Sequence, residues 1–268
     1  MDTTDKDIGS QQVAEIIQHE NEYWSEVFDQ ARGQDKADKL FSSYWWDNYY
    51  QEIIQYIKTS TGFKSDWKIL EAGSGSGKSS ILLGKTIDRT FLDISDKALG
   101  FASHLANKFQ VQNIKYVQGN ILQMPFDSQS FDLVWNIGVI EHYEKKQIKA
   151  MFSEMIRTTK NGGYVAVGVP NFWTGATLKA WLLKQPLFKF IKGYRLDSEK
   201  FYSLSELCDL ITQASIEQGR VIQSQEITYF GNPLIMEAPK WLINSIGKFI
   251  ARILPKAKFL TFITIKIN

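Results

Sequence analysis

The chain has 268 residues and a net charge of +2, with 44% hydrophobic and 22% charged residues, so it is a globular protein without the overall positive charge that would favour nucleic acid as a partner. Its single cysteine, Cys208, excludes an internal disulfide and a four-cysteine zinc site, and the spacing of its three histidines predicts no metal site. The acidic, polar start and the lack of a long apolar run predict neither a signal peptide nor a spanning helix, and we expect a cytoplasmic protein.

Two helices are predicted at the start of the chain, over residues 11–31 and 40–60, and the second is dense in aromatic side chains. Short apolar strands then alternate with helices at the spacing of βαβ units, which predicts a parallel sheet covered by helices on both faces. The strands are predicted at 67–70, 90–93, 114–117, 131–135 and 164–169, and the helices after the first, second and fourth strands at 79–83, 96–110 and 145–160.

The regular alternation lapses for about 30 residues after Pro170, which is too long for a plain connection in a compact domain and suggests a functional insertion. The pattern resumes with a helix at 203–219, capped by Ser203 with Glu206 three residues further on. A strand at 221–229, a helix at 238–253 and a terminal strand at 259–267 complete the predicted elements.

A glycine-rich turn follows the first strand and opens a helix, so its backbone N–H groups point toward a ligand. Residues 72–79 fit a relaxed phosphate-binding loop, but the strand that should supply a magnesium carboxylate ends in Asn136. A dinucleotide site requires a glycine where Lys78 stands. Glu71, directly before the turn, disfavours a triphosphate and suits a ligand that carries positive charge.

The sequence from Glu71 to Gly77 resembles motif I of class I S-adenosylmethionine-dependent methyltransferases, of the type 11 or UbiE-like small-molecule kind. Asp93 ends the second strand 22 residues later, where a carboxylate can accept from both ribose hydroxyls. Three further stretches resemble the family's adenine-binding turn, its "PFxDxxFDxV" stretch with the "LEH" ending, and its "PGG" turn. They are residues 119–121, 126–134 with 140–142, and 161–163.

The resemblance implies a doubly wound, Rossmann-like α/β fold with a seven-stranded sheet, mostly parallel with an antiparallel last strand, plus N-terminal helices and an inserted helical lid. It implies S-adenosyl-L-methionine as cofactor and S-adenosyl-L-homocysteine as product, with no metal. The residues expected to bind the cofactor are Glu71, Ala72, Gly73, Ser74, Gly75, Gly77, Asp93, Ile94, Asn120, Ile121, Asn136 and Ile137.

His142 follows the fourth strand at the edge where ligands bind, and it is the candidate general base. In the family this histidine occurs across many chemistries, so a structural or substrate-contacting role is the alternative. Aromatic side chains outside the common core are candidates to enclose an organic acceptor. With His142, the acceptor-binding candidates are Tyr44, Trp45, Tyr49, Tyr143 and Trp173.

These features predict an N-terminal helical cap over 1–62, a cofactor-binding core over 63–170, an acceptor-side insertion over 171–202 and the rest of the sheet over 203–268. The predicted function is methyl transfer to a small organic acceptor, with oxygen favoured and nitrogen or carbon open. Basic amphipathic segments after residue 177 and after residue 239 suggest a peripheral membrane enzyme with a lipid or isoprenoid acceptor as one alternative. An RNA or protein methyltransferase, a non-catalytic cofactor-binding module and a phosphate-loop protein are the others.

Overall fold

The computed structural model describes residues 46–172, 174–185, 200–235 and 239–268, together with 21–22 and 25–26. The strands are β1 (Lys68–Ala72), β2 (Asp88–Asp93), β3 (Ile114–Gln118), β4 (Phe131–Ile137), β5 (Thr159–Pro170), β6 (Ile222–Phe230) and β7 (Leu260–Ile267). The α-helices are α1 (Gln51–Ser60), α2 (Lys78–Leu83), α3 (Asp96–Lys108), α4 (Lys145–Thr158), α5 (Gly175–Lys184), α6 (Leu204–Glu217), α7 (Lys240–Leu242) and α8 (Lys248–Ile253). π-Helical turns Trp46–Tyr50 and Ile243–Gly247 precede α1 and join α7 to α8.

The seven strands form one sheet in the order β3-β2-β1-β4-β5-β7-β6. All neighbouring pairs from β3 to β5 are parallel, and β7 runs antiparallel to both β5 and β6. The predicted doubly wound sheet with an antiparallel last strand is therefore confirmed. The chain order reverses between β1 and β4, and the carboxyl ends of these strands are where ligands bind in open α/β sheets.

Alternation along β4 divides the core into two layers, because successive side chains of a strand point to opposite faces. Trp135 is fully buried on the face covered by α1 and α3, where Ile53 and Leu105 also lie. Val134 is buried on the other face with Phe152 of α4. Helices cover both faces of the sheet, and the carboxyl ends of the central strands stay open for a site.

The structure differs from the sequence predictions at residues 161–163. These residues do not form a separate turn before the fifth strand but lie within β5, where the register with β4 jumps from Phe131–Thr159 to Leu133–Tyr164. The segment after Pro170, where the regular alternation lapses and an inserted helical segment is expected, contains α5, whose N-terminus is capped by Thr174. The capping of α6 by Ser203 and Glu206 is confirmed.

The predicted helix at 11–31 and the start of the helix at 40–60 lie largely outside the described residues, whereas α1 confirms the end of the second. Across the described ranges, every helix falls short of the length and apolar character needed to span a membrane.

Candidate active site

A cavity of about 340 Å³ opens at the carboxyl ends of β1, β2 and β4. Its volume lies in the range of small-molecule sites. The glycine-rich turn forms one wall of this cavity, and Asp93, Asn120 and His142 come to it from three different strand ends. The sheet topology therefore brings together residues that are far apart in the chain.

The glycine-rich turn is fixed against β2. The backbone N–H groups of Gly73 and Ser74 both donate to the carbonyl of Leu92, at 2.8 and 2.9 Å. Gly77 has φ = 62°, and a Cβ at this position would lie 2.5 Å from the Phe91 ring. Only glycine satisfies both the left-handed backbone and this close approach.

The six-residue helix α2 follows the turn and is too short to be stable alone. Four polar contacts hold it. Glu71 Oε2 accepts from the Ser80 backbone N–H at 3.1 Å, and the indole of Trp135 donates to Ser80 Oγ at 2.9 Å. At the other end, the fully buried Arg89 donates to the carbonyls of Ser80 and Gly84, at 2.7 and 2.6 Å. Because α2 follows directly on the glycine-rich turn, the contacts that hold α2 also position the turn.

Glu71 is a buried carboxylate that faces the cavity. Burial raises its pKa to about 7, although its bonds to Ser80 and the charge of Arg89 work in the opposite direction. Burial also lowers the pKa of Arg89 to about 10, which leaves the guanidinium charged at neutral pH. A cationic ligand beside Glu71 would therefore draw this group into its ionised form.

Asp93 is held by two backbone donors, Gly75 N–H to Oδ2 at 2.7 Å and Ser95 N–H to Oδ1 at 3.0 Å. Each carboxylate oxygen keeps a further acceptor site, which suits a vicinal diol. Burial raises the pKa of Asp93, and the backbone donors oppose this. The cap of α3 is Ser95, which accepts from the Ala98 N–H at 3.2 Å, so Asp93 is not needed for that role.

Asn120 follows β3 and lines the cavity. Its Oδ1 accepts from the Leu122 backbone N–H at 2.9 Å, which fixes the orientation of the amide. The amide NH₂ and the second lone pair of Oδ1 are the groups that a purine could contact. Asn120 therefore offers both a hydrogen-bond donor and an acceptor at the position where the sequence predicts adenine binding.

His142 ends the 3₁₀ turn Ile140–His142 after β4 and lines the cavity half-buried. Burial lowers its pKa to about 4, with a contribution from Lys200, so the imidazole is neutral at physiological pH. Two hydrogen bonds from residues later in the chain hold this turn. Lys200 N–H donates to the Glu141 carbonyl at 2.6 Å, and Tyr202 Oη donates to the Tyr143 carbonyl at 2.6 Å.

Aromatic side chains form another wall of the cavity. Tyr49 and Tyr50 come from the turn before α1, and burial raises the pKa of both phenols. Phe259 packs edge-on against Tyr49, with ring centroids 5.8 Å apart. Because β7 is antiparallel, its first residue, Leu260, reaches the same edge as the carboxyl ends of the parallel strands.

Most of the predicted site residues within the described ranges line this cavity: Glu71, Gly73, Ser74, Gly75, Asp93, Ile94, Asn120, Ile121, Ile137, Tyr49, His142 and Tyr143. Tyr44, Trp45 and Trp173 lie outside the described residues. The lining residues that the prediction missed are Tyr50, Ser76, Lys78, Ser79, Gly119, Gly138, Val139, Pro170, Phe259 and Leu260. A signal existed for some of them, because Ser76 and Gly119 lie inside the recognised motifs.

Three predicted cofactor residues do not line the cavity. Ala72 is fully buried at the end of β1, and Gly77 is covered by the Phe91 ring. Asn136 points into the layer beneath α4, where its amide lies 3.6 Å from the sulfur of Met155. It is one residue out of phase with Ile137, which does face the cavity, because side chains alternate along β4.

Over the described ranges, no three side chains of His, Cys, Asp or Glu come together in a way that could hold a metal ion.

A methyltransferase domain family model matches residues 69–163. A sterol 24-C-methyltransferase of Neurospora crassa is 31% identical over 127 residues, which cover 45% of this chain and 33% of that protein. The ubiquinone/menaquinone biosynthesis C-methyltransferase UbiE of Shewanella pealeana is 31% identical over 113 residues, which cover 40% of this chain and 44% of that protein. The match thus spans less than half the length of each of these two relatives.

Solved structures share the fold. A SAM-dependent methyltransferase of Methanosarcina mazei superposes with a TM-score of 0.52 at 20% identity, over 82% of this chain and 98% of that one. The geranyl diphosphate C-methyltransferase of Streptomyces coelicolor, in complex with S-adenosyl-L-homocysteine, gives 0.50 at 16% identity, over 81% and 78%.

The chain therefore carries a class I S-adenosylmethionine-dependent methyltransferase domain, and its cofactor is S-adenosyl-L-methionine. This resolves the three ligand classes left open by the glycine-rich turn in favour of S-adenosylmethionine.

Proposed function

We propose that this protein transfers the methyl group of S-adenosylmethionine to an apolar organic acceptor. The observation that carries the proposal is a single cavity with two kinds of wall. The glycine-rich turn, Glu71 and Asp93 offer backbone donors and carboxylates, whereas Tyr49 and Phe259 offer aromatic surface. Polar groups fix a cofactor, and an apolar wall excludes water and holds an organic molecule by burial.

Carbon is the acceptor atom that we propose first, with oxygen, favoured by the sequence alone, as the alternative. Two relatives are named as C-methyltransferases, of sterols and of ubiquinone/menaquinone biosynthesis, and their similarity covers 45% and 40% of this chain. The aromatic wall suits a flat or isoprenoid acceptor. A lipophilic acceptor of this kind resides in a membrane. Its access to the cavity would require a surface of the protein, outside the cavity, that binds the membrane.

The cofactor supplies an electrophilic methyl group on a sulfonium. We propose that the carboxylate of Asp93 holds the ribose hydroxyls and that Glu71 faces the positively charged end. His142 is neutral at physiological pH, so its imidazole is able to accept the proton that the acceptor loses. A methylated carbon or oxygen acceptor is cationic and strongly acidic before it loses that proton, and a base with a low pKa is therefore sufficient.

We propose that the N-terminal segment over 1–62 and the insertion over 171–202 form the acceptor side. Two observations support this. Tyr49 and Tyr50 of the first segment line the cavity, and Lys200 and Tyr202, at the end of the insertion, hold the turn that carries His142 by hydrogen bonds. The division of the chain into four parts stays a prediction.

Two measurements test the proposal. Calorimetry should detect binding of S-adenosylmethionine to the whole chain, and labelled cofactor should deliver methyl groups to quinone or isoprenoid acceptors. The variant His142→Gln should lose about a hundredfold in kcat with an unchanged cofactor Kd if His142 accepts the proton. Cofactor binding without transfer to any acceptor would instead indicate a non-catalytic binding module, and absence of binding would overturn the proposal altogether.

A further inference from the structure

The helical segment from Lys240 to Ile253 is attached to the domain by one narrow face. Ile243 and Gly247 are buried, and Asn232 donates from its amide to the Ile243 carbonyl at 2.9 Å. Gly247 packs so closely on the Asn232 side chain that a Cβ would not fit. The opposite face therefore points away from the domain.

This opposite face is apolar although it is exposed. Trp241 is 69% exposed and Phe249 is 62% exposed, and the other exposed apolar residues of the segment and its end are Ile246, Ile253 and Leu254. We call these five residues the apolar face. Large contiguous apolar surfaces are uncommon on proteins that meet only water, and they indicate a binding surface.

Four cationic side chains lie in this segment and the turn after it, and no side-chain carboxylate occurs between residue 238 and the end of the chain. Lys248 and Arg252 also line a small cavity with Asp47 and Glu52. Lys240, Lys248, Arg252 and Lys256 form no ion pair with any described residue. Lys258, in the same stretch of chain, is paired with Glu52. The face is thus complementary to an anionic partner that also accepts apolar side chains, and an anionic lipid surface has both properties.

A short stretch of chain connects the apolar face to the wall of the cavity. The chain passes from α8 through the turn Pro255–Ala257 to Phe259 and Leu260, which line the cavity. Asn171 fixes this passage, because its amide donates to the carbonyls of Lys256 and Lys258 at 2.7 and 2.9 Å. The helix α5, which begins a few residues after Asn171, is also apolar and exposed at Leu178, Trp181 and Leu182.

We propose that the apolar face docks on membranes that contain anionic lipid, with the aromatic side chains in the headgroup region and the four cations against the phosphates. Docking on a membrane does not depend on the proposed function. The role that we assign to docking, access for a lipophilic acceptor, rests on the proposed function. Aromatic side chains and lysines in this arrangement are typical of helices that lie in the plane of a membrane interface.

Co-sedimentation of the full chain with vesicles tests the proposal. We expect binding to vesicles of phosphatidylcholine mixed with phosphatidylglycerol, weaker binding at high salt, and little binding to phosphatidylcholine alone. The double variant Lys248→Gln/Arg252→Gln should bind about thirtyfold more weakly. Phe249→Ser should bind at least about tenfold more weakly.

Matched controls carry the same changes elsewhere on the surface. Lys115→Gln/Lys146→Gln and Ile216→Ser alter exposed residues outside this segment and should leave vesicle binding unchanged. Equal losses in the control and test variants, or binding that ignores anionic lipid, would overturn the proposal. So would a dimer in lipid-free solution that Phe249→Ser converts to monomer, because a second copy would then cover the face. Asp93→Asn should keep vesicle binding, which separates failure of docking from failure of the cofactor site.

Discussion

The two walls of the cavity are built in different ways. The cofactor side comes from consecutive strand ends between Glu71 and Asn120, and its geometry is set by backbone hydrogen bonds and short turns. The acceptor side joins Tyr49 to Phe259 and Leu260, which are about two hundred residues apart in the chain. On the proposed assignment of the two walls, local motifs form the cofactor side, and side chains far apart in the chain form the acceptor side.

The two sides also differ in their charge. Glu71, Arg89 and Asp93 are buried in or behind the cofactor wall and are held by donors and acceptors of the backbone. Tyr49 and Tyr50 stay neutral, because burial raises the pKa of both phenols. Changes on the cofactor side should therefore alter stability and affinity strongly, and changes on the acceptor side should act mainly on turnover.

The largest effect is expected for Gly77→Ala on the cofactor side. The new Cβ would meet the Phe91 ring at 2.5 Å in a left-handed backbone, which should lower the free energy of unfolding by about 3 kcal/mol. Gly62→Ala is the matched control, since Gly62 has a similar φ of 66° but nothing within 4 Å, and it should cost about 1 kcal/mol. Urea unfolding measures both, and equal losses would contradict the steric role of Gly77.

Asp93→Asn should weaken S-adenosylmethionine binding about thirtyfold, because the ribose hydroxyls lose an ionised acceptor. Calorimetry gives the Kd. Asp88→Asn, at the exposed start of the same strand, is the control and should leave affinity unchanged. If Asp93→Asn retains the parent affinity at an unchanged melting temperature, Asp93 does not bind the ribose.

Cofactor affinity should rise about tenfold from about pH 5.5 to about pH 7 as Glu71, with a pKa of about 7, ionises beside the cationic ligand. The stability of the ligand-free protein should change in the opposite direction. Because the pKa of Glu71 is raised in the folded state, the folded protein binds a proton more tightly than the unfolded chain between about pH 4.5 and pH 7. The contribution of Glu71 to the free energy of unfolding therefore decreases as pH rises through that window.

Glu71→Gln serves as the comparison for both trends, because the amide oxygen still accepts from Ser80 N–H but carries no charge. Calorimetry across the pH range should give a flatter affinity profile for this variant, and urea unfolding should give a flatter stability profile. A variant that follows the parent profile would assign the pH dependence to another group.

The smallest effect is expected on the acceptor side, for Tyr202→Phe. The change removes the hydroxyl that holds the Tyr143 carbonyl at 2.6 Å and loosens the turn of His142, so kcat should decrease about threefold with an unchanged Kd for the cofactor. Tyr164→Phe, which removes a hydroxyl distant from the cavity lining, should change neither. A weakened cofactor Kd in Tyr202→Phe would show that the two walls are not separable.

Most of the residues that the sequence predicts for cofactor binding line the cavity, because the signals that identify them are local. Strand, glycine turn and following carboxylate lie within 26 residues, from Lys68 to Asp93, and each has a spacing that backbone geometry requires. The misplacement of Asn136 has a simple cause: the prediction identified the strand end but not the phase of alternation, and the neighbouring Ile137 faces the cavity instead. Gly77 is predicted as a cofactor contact, and the structure adds that the lack of a side chain at this position makes room for the Phe91 ring.

By itself, the sequence determined the class of fold, the order of the βαβ units and the strand ends at which the cofactor residues stand, because periodicity and turn chemistry are properties of neighbouring residues. Only the tertiary structure decided that Phe259 and Leu260 meet Tyr49, that Arg89 closes the helix after the glycine turn, and that Tyr202 holds the turn of His142. The contact of Tyr49 with Phe259 joins residues far apart in the chain and depends on the antiparallel last strand, which brings Phe259 and Leu260 to the cavity. The bonds of Arg89 span only five and nine residues, but they depend on the burial of its side chain, which no local pattern in the sequence indicates.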